Sequence, residues 1–303
     1  MLAPTSGSPT LRYTRSLSLP NYSKALSGNS QFNRGFDGTG PKPRVCAVSF
    51  LNTSPLVWGM LHGPQRGMFE LEFRLPSACA DALESGEADI GIVPSFELTR
   101  QELEILPGAG IACHGPVRSI LLVSAKPLGE VRTLAADSSS RTSVELARIV
   151  LDHKYGARPQ VLPHAPDLDA MLGAADAALI IGDPALRIDP AQLPYEVRDL
   201  GADWVEMTGY PMVFAVWAAR KGVATDSIAQ AFRDSCRFGL EHMDEIVEAE
   251  SARLGFTPEL VREYLTRHIV HRLGPRDYQG MRLFLEWAGG KASAVPVALA
   301  SIG

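Results

Sequence analysis

Five polar clusters interrupt apolar runs in this sequence, and their residue types suit holding an anion and aiming hydrogen bonds. The densest is AADSSSRTSVELARIVL, residues 135–151, where Ser138, Ser139, Ser140, Arg141, Thr142 and Ser143 follow Asp137 and lead into an amphipathic stretch. Hydroxyls gathered at the start of a helix, beside its free first-turn N–H groups, provide positive potential for a carboxylate. The competing reading is a capping box, with Ser140, Thr142 or Ser143 satisfying the first turn and Glu145 reaching back. Capping requires one hydroxyl, so the surplus favours an anion site. No lysine or glycine-rich loop accompanies it, which disfavours a nucleotide phosphate.

Four shorter clusters lie where a strand gives way to a turn, the edge at which open α/β sheets place ligands. SFLNTSPL, residues 49–56, offers Asn52 and Thr53, either as ligand groups or as caps of the next helix. DIGIVPSFEL, residues 89–98, offers Ser95 behind Pro94. In GPVRSILLVSA, residues 115–125, Ser119 enters a strand behind Arg118, whose guanidinium could take a carboxylate in two-point fashion or face solvent. ALIIGDPAL, residues 178–186, ends in Asp183, a ligand for a substrate hydroxyl or a helix cap. Several polar strand ends converging on one edge make a binding pocket.

Other chemistries lack their signatures. The sequence has no GxSxG, HExxH or GxGxxG. Cys46, Cys79, Cys113 and Cys236 form no CxxC and read as reduced core residues. The one close histidine pair, His268 and His271, has no third ligand at metal spacing. No metal site is therefore expected, and any catalysis must rest on positioning and electrostatics.

The elements that must carry these clusters follow from periodicity. Strands are expected at 45–50, 71–75, 89–93, 111–113, 117–124, 133–136, 160–162, 177–181 and 211–219, with helices at 54–61, 77–86, 141–153 and 168–172. Residues after Ser95 read as polar and helix-prone. Everything after Asp226 is expected to be helical, with Ile228, Phe232, Leu240, Met243 and Val247 on one face. A further helix should run from Pro258, capped by Thr257, to Leu273. One α/β series, a second, then a single returning strand and helices give two lobes with discontinuous topology. The division expected is 43–130 plus 211–303 for the first lobe and 131–210 for the second, with the change near Pro127 to Glu130.

Composition bounds the partners. A chain of 303 residues, 46% apolar and 21% charged, with a net charge of −5, is an ordinary globular protein and a poor nucleic-acid binder. No apolar run reaches the 18 residues of a membrane span. Residues 1–42 are rich in Ser, Gly, Asn and Pro and hold five bases against one acid, Asp37, a net +4 that leaves −9 on the rest. This stretch is expected to be a disordered extension. It lacks the continuous apolar core of a secretory signal, so a cytoplasmic location is expected.

Together SFLNTSPL, PSACADALESGEADIGIVPS, GPVRSILLVS, DSSSRTSVEL, ADAALIIGDPAL and WVEMTGYPMVFAVW, in this order over residues 44–290, resemble the chorismate dehydratase family of the futalosine route to menaquinone. The resemblance implies an α/β, two-lobed, type II periplasmic-binding-protein-like fold, each lobe a helix-flanked mixed sheet, with the ligand cleft between lobes. It implies a hydro-lyase acting on chorismate, a small dicarboxylate, to give 3-[(1-carboxyvinyl)oxy]benzoate, without metal or cofactor. It carries roles beside the reacting atoms to Asn52 and Ser119, with Ser95 competing for the latter. The helix start at 138–143 would hold a carboxylate. The rival enzyme is the 1,4-dihydroxy-6-naphthoate synthase of the same route; the rival non-enzyme is a small-carboxylate solute-binding protein. A homodimer is allowed for, and no nucleic acid or membrane partner is expected.

Overall fold

In the computed structural model, residues 41–289 are described, apart from Ser138. The expected extension at 1–42 therefore lies almost wholly outside the described residues, as does Ser138.

The first lobe forms around β1 (Arg44–Val48), whose RVCAV run is buried from Val45 onward. A 3₁₀ turn at 51–53 leads into α1 (Ser54–His62), with Pro55 in its first turn where no N–H is needed. Then come β2 (Glu70–Arg74), α2 (Pro76–Ser85) and β3 (Ile90–Pro94). Gly86 ends α2 in the left-handed region at φ 76°, the role expected of it. β4 (Leu103–Cys113) completes the outward pass.

The second lobe comprises β5 (Ile120–Ser124), β6 (Thr133–Asp137), α3 (Arg141–Tyr155), β7 (Gln160–His164), α4 (Leu168–Ala174), β8 (Ala177–Ile181), α5 (Gly182–Leu186), β9 (Glu196–Asp199) and α6 (Leu200–Thr208). The chain returns through β10 (Met212–Arg220) to α7 (Asp226–Glu241), α8 (Met243–Leu254), α9 (Pro258–Glu263), a π-turn at 264–268, β11 (Val270–Arg272) and α10 (Pro275–Trp287).

Two sheets result, with strand orders β11-β4-β10-β3-β1-β2 and β7-β6-β8-β5-β9. Both are mixed: β1 runs parallel to β2 and β3, whereas β10 is antiparallel to β3 and β4; β6 is parallel to β7 and β8, whereas β5 is antiparallel to β8 and β9. Successive residues of β5 point to opposite faces. Ile120 and Leu122 join the large core, while Leu121 and Val123 join a smaller cluster with Met171, Ile180 and Ala185. A sheet covered on both faces explains the unbroken apolar runs at 120–123 and 177–181.

Four expectations are corrected. β5 pairs with β8 and β9, so the chain passes between sheets at 114–119 and not near Pro127 to Glu130. The stretch ahead of Ile111, read as helix-prone, is the first half of β4; Pro107 and Gly108, the latter at φ 96°, interrupt the ladder and hide its alternation. β9 and α6 were not anticipated, being short and half-polar. The segment after Asp226 is not wholly helical: α7 stops at Glu241, regular helix after Pro258 ends at Glu263, and β11 adds an edge strand beside β4.

Candidate active site

The carboxyl ends of β1, β3 and β8, the start of β5 and the first turn of α3 face one another across the gap between the lobes. They line a pocket of about 60 Å³. Its lining is apolar around a few polar groups: Phe50, Ile111, Val117 and Phe214 set against Asn52, Ser119, Ser140 and Ser143. Ligand pockets usually offer several hundred Å³, so this one is narrow.

Asn52 belongs to the first lobe and Ser119 to the second, and a third residue joins them. The Asn52 side-chain amide donates to the Tyr264 hydroxyl at 3.2 Å, and that hydroxyl donates to Ser119 Oγ at 2.8 Å. Tyr264 opens the π-turn, where a widened helical turn carries its ring into the core and its hydroxyl to Asn52 and Ser119 behind the cleft wall. Burial raises the phenol's pKa, so it remains a neutral donor. Behind Asn52, the imidazole Nε2 of His271 lies 3.0 Å from the Asn52 carbonyl oxygen. Burial lowers the His271 pKa to about 4; the ring is neutral near pH 7 and donates there. Neither Tyr264 nor His271 was singled out from sequence as a site residue, because both sit in a segment whose pattern reads as plain helix.

The capping alternative fails for Asn52. The residue at the head of α1 is Thr53, which makes no side-chain capping bond; its buried hydroxyl lies 3.5 Å from Asn52 Oδ1. Asp183 likewise does not cap α5. Its Oδ1 accepts the Leu51 amide at 3.0 Å across the cleft, and burial raises its pKa to about 6.

At α3 the capping reading and the pocket reading both hold in part. Ser140 is the cap, accepting from the Ser143 amide at 3.3 Å, and its hydroxyl meets Ser143 Oγ at 2.8 Å. Both hydroxyls line the cavity. The neighbours face elsewhere. Ser139 uses its carbonyl to accept from Ser77 of the first lobe at 3.0 Å, and its amide donates to Asp137 Oδ1 at 2.9 Å. Thr142 accepts the Phe96 amide at 3.1 Å. Arg141 pairs with buried Glu97 at 2.9 Å and with Asp81 at 2.7 Å. The cluster that reads as one anion site is thus divided: two hydroxyls face the cleft, and three residues pin one lobe to the other.

Two more expectations are corrected. Arg118 does not point at the cleft. Held at φ 66°, it turns its guanidinium onto the carbonyls of Ala185 at 3.2 Å and Ile188 at 2.6 Å, closing the end of α5. Ser95 is fully buried and donates to the Val213 carbonyl at 2.8 Å, fastening β3 to β10. Its competition with Ser119 ends there.

Among the described residues no group of His, Cys, Asp or Glu is placed to hold a metal ion, and no helix is long and apolar enough to cross a membrane. The four cysteines are buried and form no disulfide; Cys46 Sγ lies 2.9 Å from Cys79 Sγ.

Comparison with known proteins gives a consistent picture. A family model described as menaquinone biosynthesis matches residues 43–289. The chain is 34% identical over 239 residues to the chorismate dehydratase of Thermus thermophilus, covering 73% of this chain and 87% of that one. Among solved structures, protein AF1704 from Archaeoglobus fulgidus matches with a TM-score of 0.64 at 19% identity, over 82% of this chain and 97% of that one. The periplasmic aliphatic sulphonate binding protein of Escherichia coli matches with a TM-score of 0.57 at 16% identity, over 82% and 86%. The structural likenesses bear out the two-lobed periplasmic-binding-protein-like fold.

Proposed function

The chain belongs to the menaquinone biosynthesis family, and from that premise we propose that it is a chorismate dehydratase, a hydro-lyase forming 3-[(1-carboxyvinyl)oxy]benzoate. One observation supports this reading above others. Asn52 and Ser119, from different lobes, are brought together on the wall of a narrow, largely apolar cleft. Such a cleft can hold a small substrate between two sets of hydrogen-bond groups.

The elimination breaks the ring C–H on the ether-bearing carbon, and its electron pair forms a ring double bond. The neighbouring C–O bond breaks, and the departing hydroxide leaves with a proton as water. The ring becomes aromatic, which supplies much of the driving force. Asn52 and Ser119 orient the reacting end, and the Ser140–Ser143 pair at the α3 start takes a substrate carboxylate. The substrate's own enolpyruvyl carboxylate is the proton acceptor in this reading. A biosynthetic lyase of this kind acts in the cytoplasm.

The test is incubation of the purified protein with chorismate, followed by absorbance and mass spectrometry for the aromatic enol ether. Asn52→Ala is expected to cut kcat about 100-fold, the cost of losing a positioned hydrogen-bond group, without a matching loss of melting temperature. Chorismate left intact, yet raising the melting temperature, would identify a binding protein instead.

A further inference from the structure

Tyr264 is fully buried, and its hydroxyl stands between the two residues proposed to touch substrate. The direction of the chain follows from donor chemistry. An asparagine Nδ2 can only donate, so the phenol oxygen accepts from Asn52. The phenol's single proton, shut away from water, needs an acceptor, and Ser119 Oγ lies 2.8 Å away. Accepting from Tyr264, Ser119 does not donate back to it, so its own proton is left for another acceptor, and the residue lines the cavity. A serine hydroxyl left to itself rotates freely between donating and accepting.

We propose that Tyr264 is a positioning residue that fixes Ser119 as a donor, aiming the serine proton at the substrate oxygen that gains charge as the C–O bond breaks. The proposal rests on the dehydratase reading and adds a residue to it. It also accounts for the π-turn: regular α-helix through 264–268 would place the phenol differently, and the sequence keeps a full-length ring in a core position with a polar tip that is satisfied only at the cleft.

Tyr264→Phe removes one oxygen and leaves the ring in its place, so it tests the hydroxyl alone. The expected result is a kcat lowered about 10-fold or more with KM within about twofold, because the lost effect belongs to the transition state. Melting temperature verifies that the variant is folded. A double-mutant cycle separates positioning from mere packing. If Tyr264 acts through Ser119, Tyr264→Phe made in Ser119→Ala protein lowers kcat no further. Losses that multiply, or a Tyr264→Phe enzyme with kcat near that of the unaltered protein, overturn the proposal. An unaltered protein that leaves chorismate intact overturns the dehydratase reading as well; an active one with an indifferent Tyr264→Phe overturns only this role.

Discussion

The carboxylate of Asp183, at the end of β8 in the second lobe, accepts the backbone N–H of Leu51 in the first lobe at 3.0 Å. It is an acid at the cleft edge whose burial raises its pKa from 3.8 to about 6, against the smaller opposing effect of that same amide. Above about pH 6 it is ionised, and it then stands as the protein's rival to the substrate's own carboxylate as proton acceptor.

Asp183→Asn keeps an oxygen to accept from Leu51 and cannot take a proton. If the substrate supplies the base, the variant keeps appreciable turnover; loss of turnover in a folded protein would instead assign the base to Asp183. Its stability should also report the raised pKa. The folded group binds its proton more tightly than the unfolded one, so its contribution is present below about pH 3.8 and is lost as pH rises through about 6. His271 has the opposite sign: with a folded pKa of about 4 against 6.5, it favours the fold at neutral pH and less so on acidification. The two effects offset each other in the unaltered protein, so the comparison must be a difference. The unfolding free energy of Asp183→Asn minus that of the unaltered protein should increase between pH 4 and 6 and level off above, by at most about 3 kcal/mol in all. A difference that does not vary with pH would refute the raised pKa.

How far the sequence reveals this site depends on distance along the chain. Asn52, Ser119, Ser140 and Ser143 sit at strand or helix ends, where local pattern alone locates them, and all four line the cavity. Arg118 and Ser95 sit at equivalent ends but spend their polar groups on the carbonyls of residues 185–188 and 213, partners that only the folded chain brings near. Arg141 is the sharper lesson. Beside a row of hydroxyls it reads as part of an anion site, yet its charge answers Glu97 and Asp81, residues 44 and 60 positions away. Tyr264 reaches the cleft through a π-turn, and a one-residue widening of a helix leaves no mark in a period of 3.6.

Gly182 packs against Phe50 of the other lobe beside the cavity. It stands at φ 64°, and a Cβ there would lie 2.7 Å from the Phe50 ring. Gly182→Ala therefore meets both left-handed backbone strain of about 1–2 kcal/mol and a clash with an aromatic side chain that itself lines the cleft. The expected outcome is a lower melting temperature together with a raised KM, as the added methyl holds the lobes apart. Phe50→Leu in the same chain should recover part of the KM but none of the backbone strain. Equal rescue of both by Phe50→Leu would show that the conformation of residue 182 carries no cost.

The pocket is only about 60 Å³, less than a ring-bearing substrate needs, so substrate is expected to part the lobes, and the contacts across the gap then set how readily they separate and close again. Arg141 makes one of these contacts, linking the start of α3 to Asp81 and to Glu97, whose side chain is fully buried. On opening, Glu97 keeps Arg100 and Gln101, each at 3.3 Å, so its charge is never left without a partner, and the latch can release without a prohibitive penalty. Arg141→Leu keeps the packing of the side-chain stem and removes the latch. A partly exposed ion pair of this kind contributes about 1 kcal/mol, so KM should rise about fivefold with kcat little changed, and small-angle scattering of the unliganded protein should show a larger radius of gyration. A fall in kcat at constant KM would place Arg141 in the chemical step instead, and would return the whole 139–143 cluster to the substrate site that its sequence first suggests.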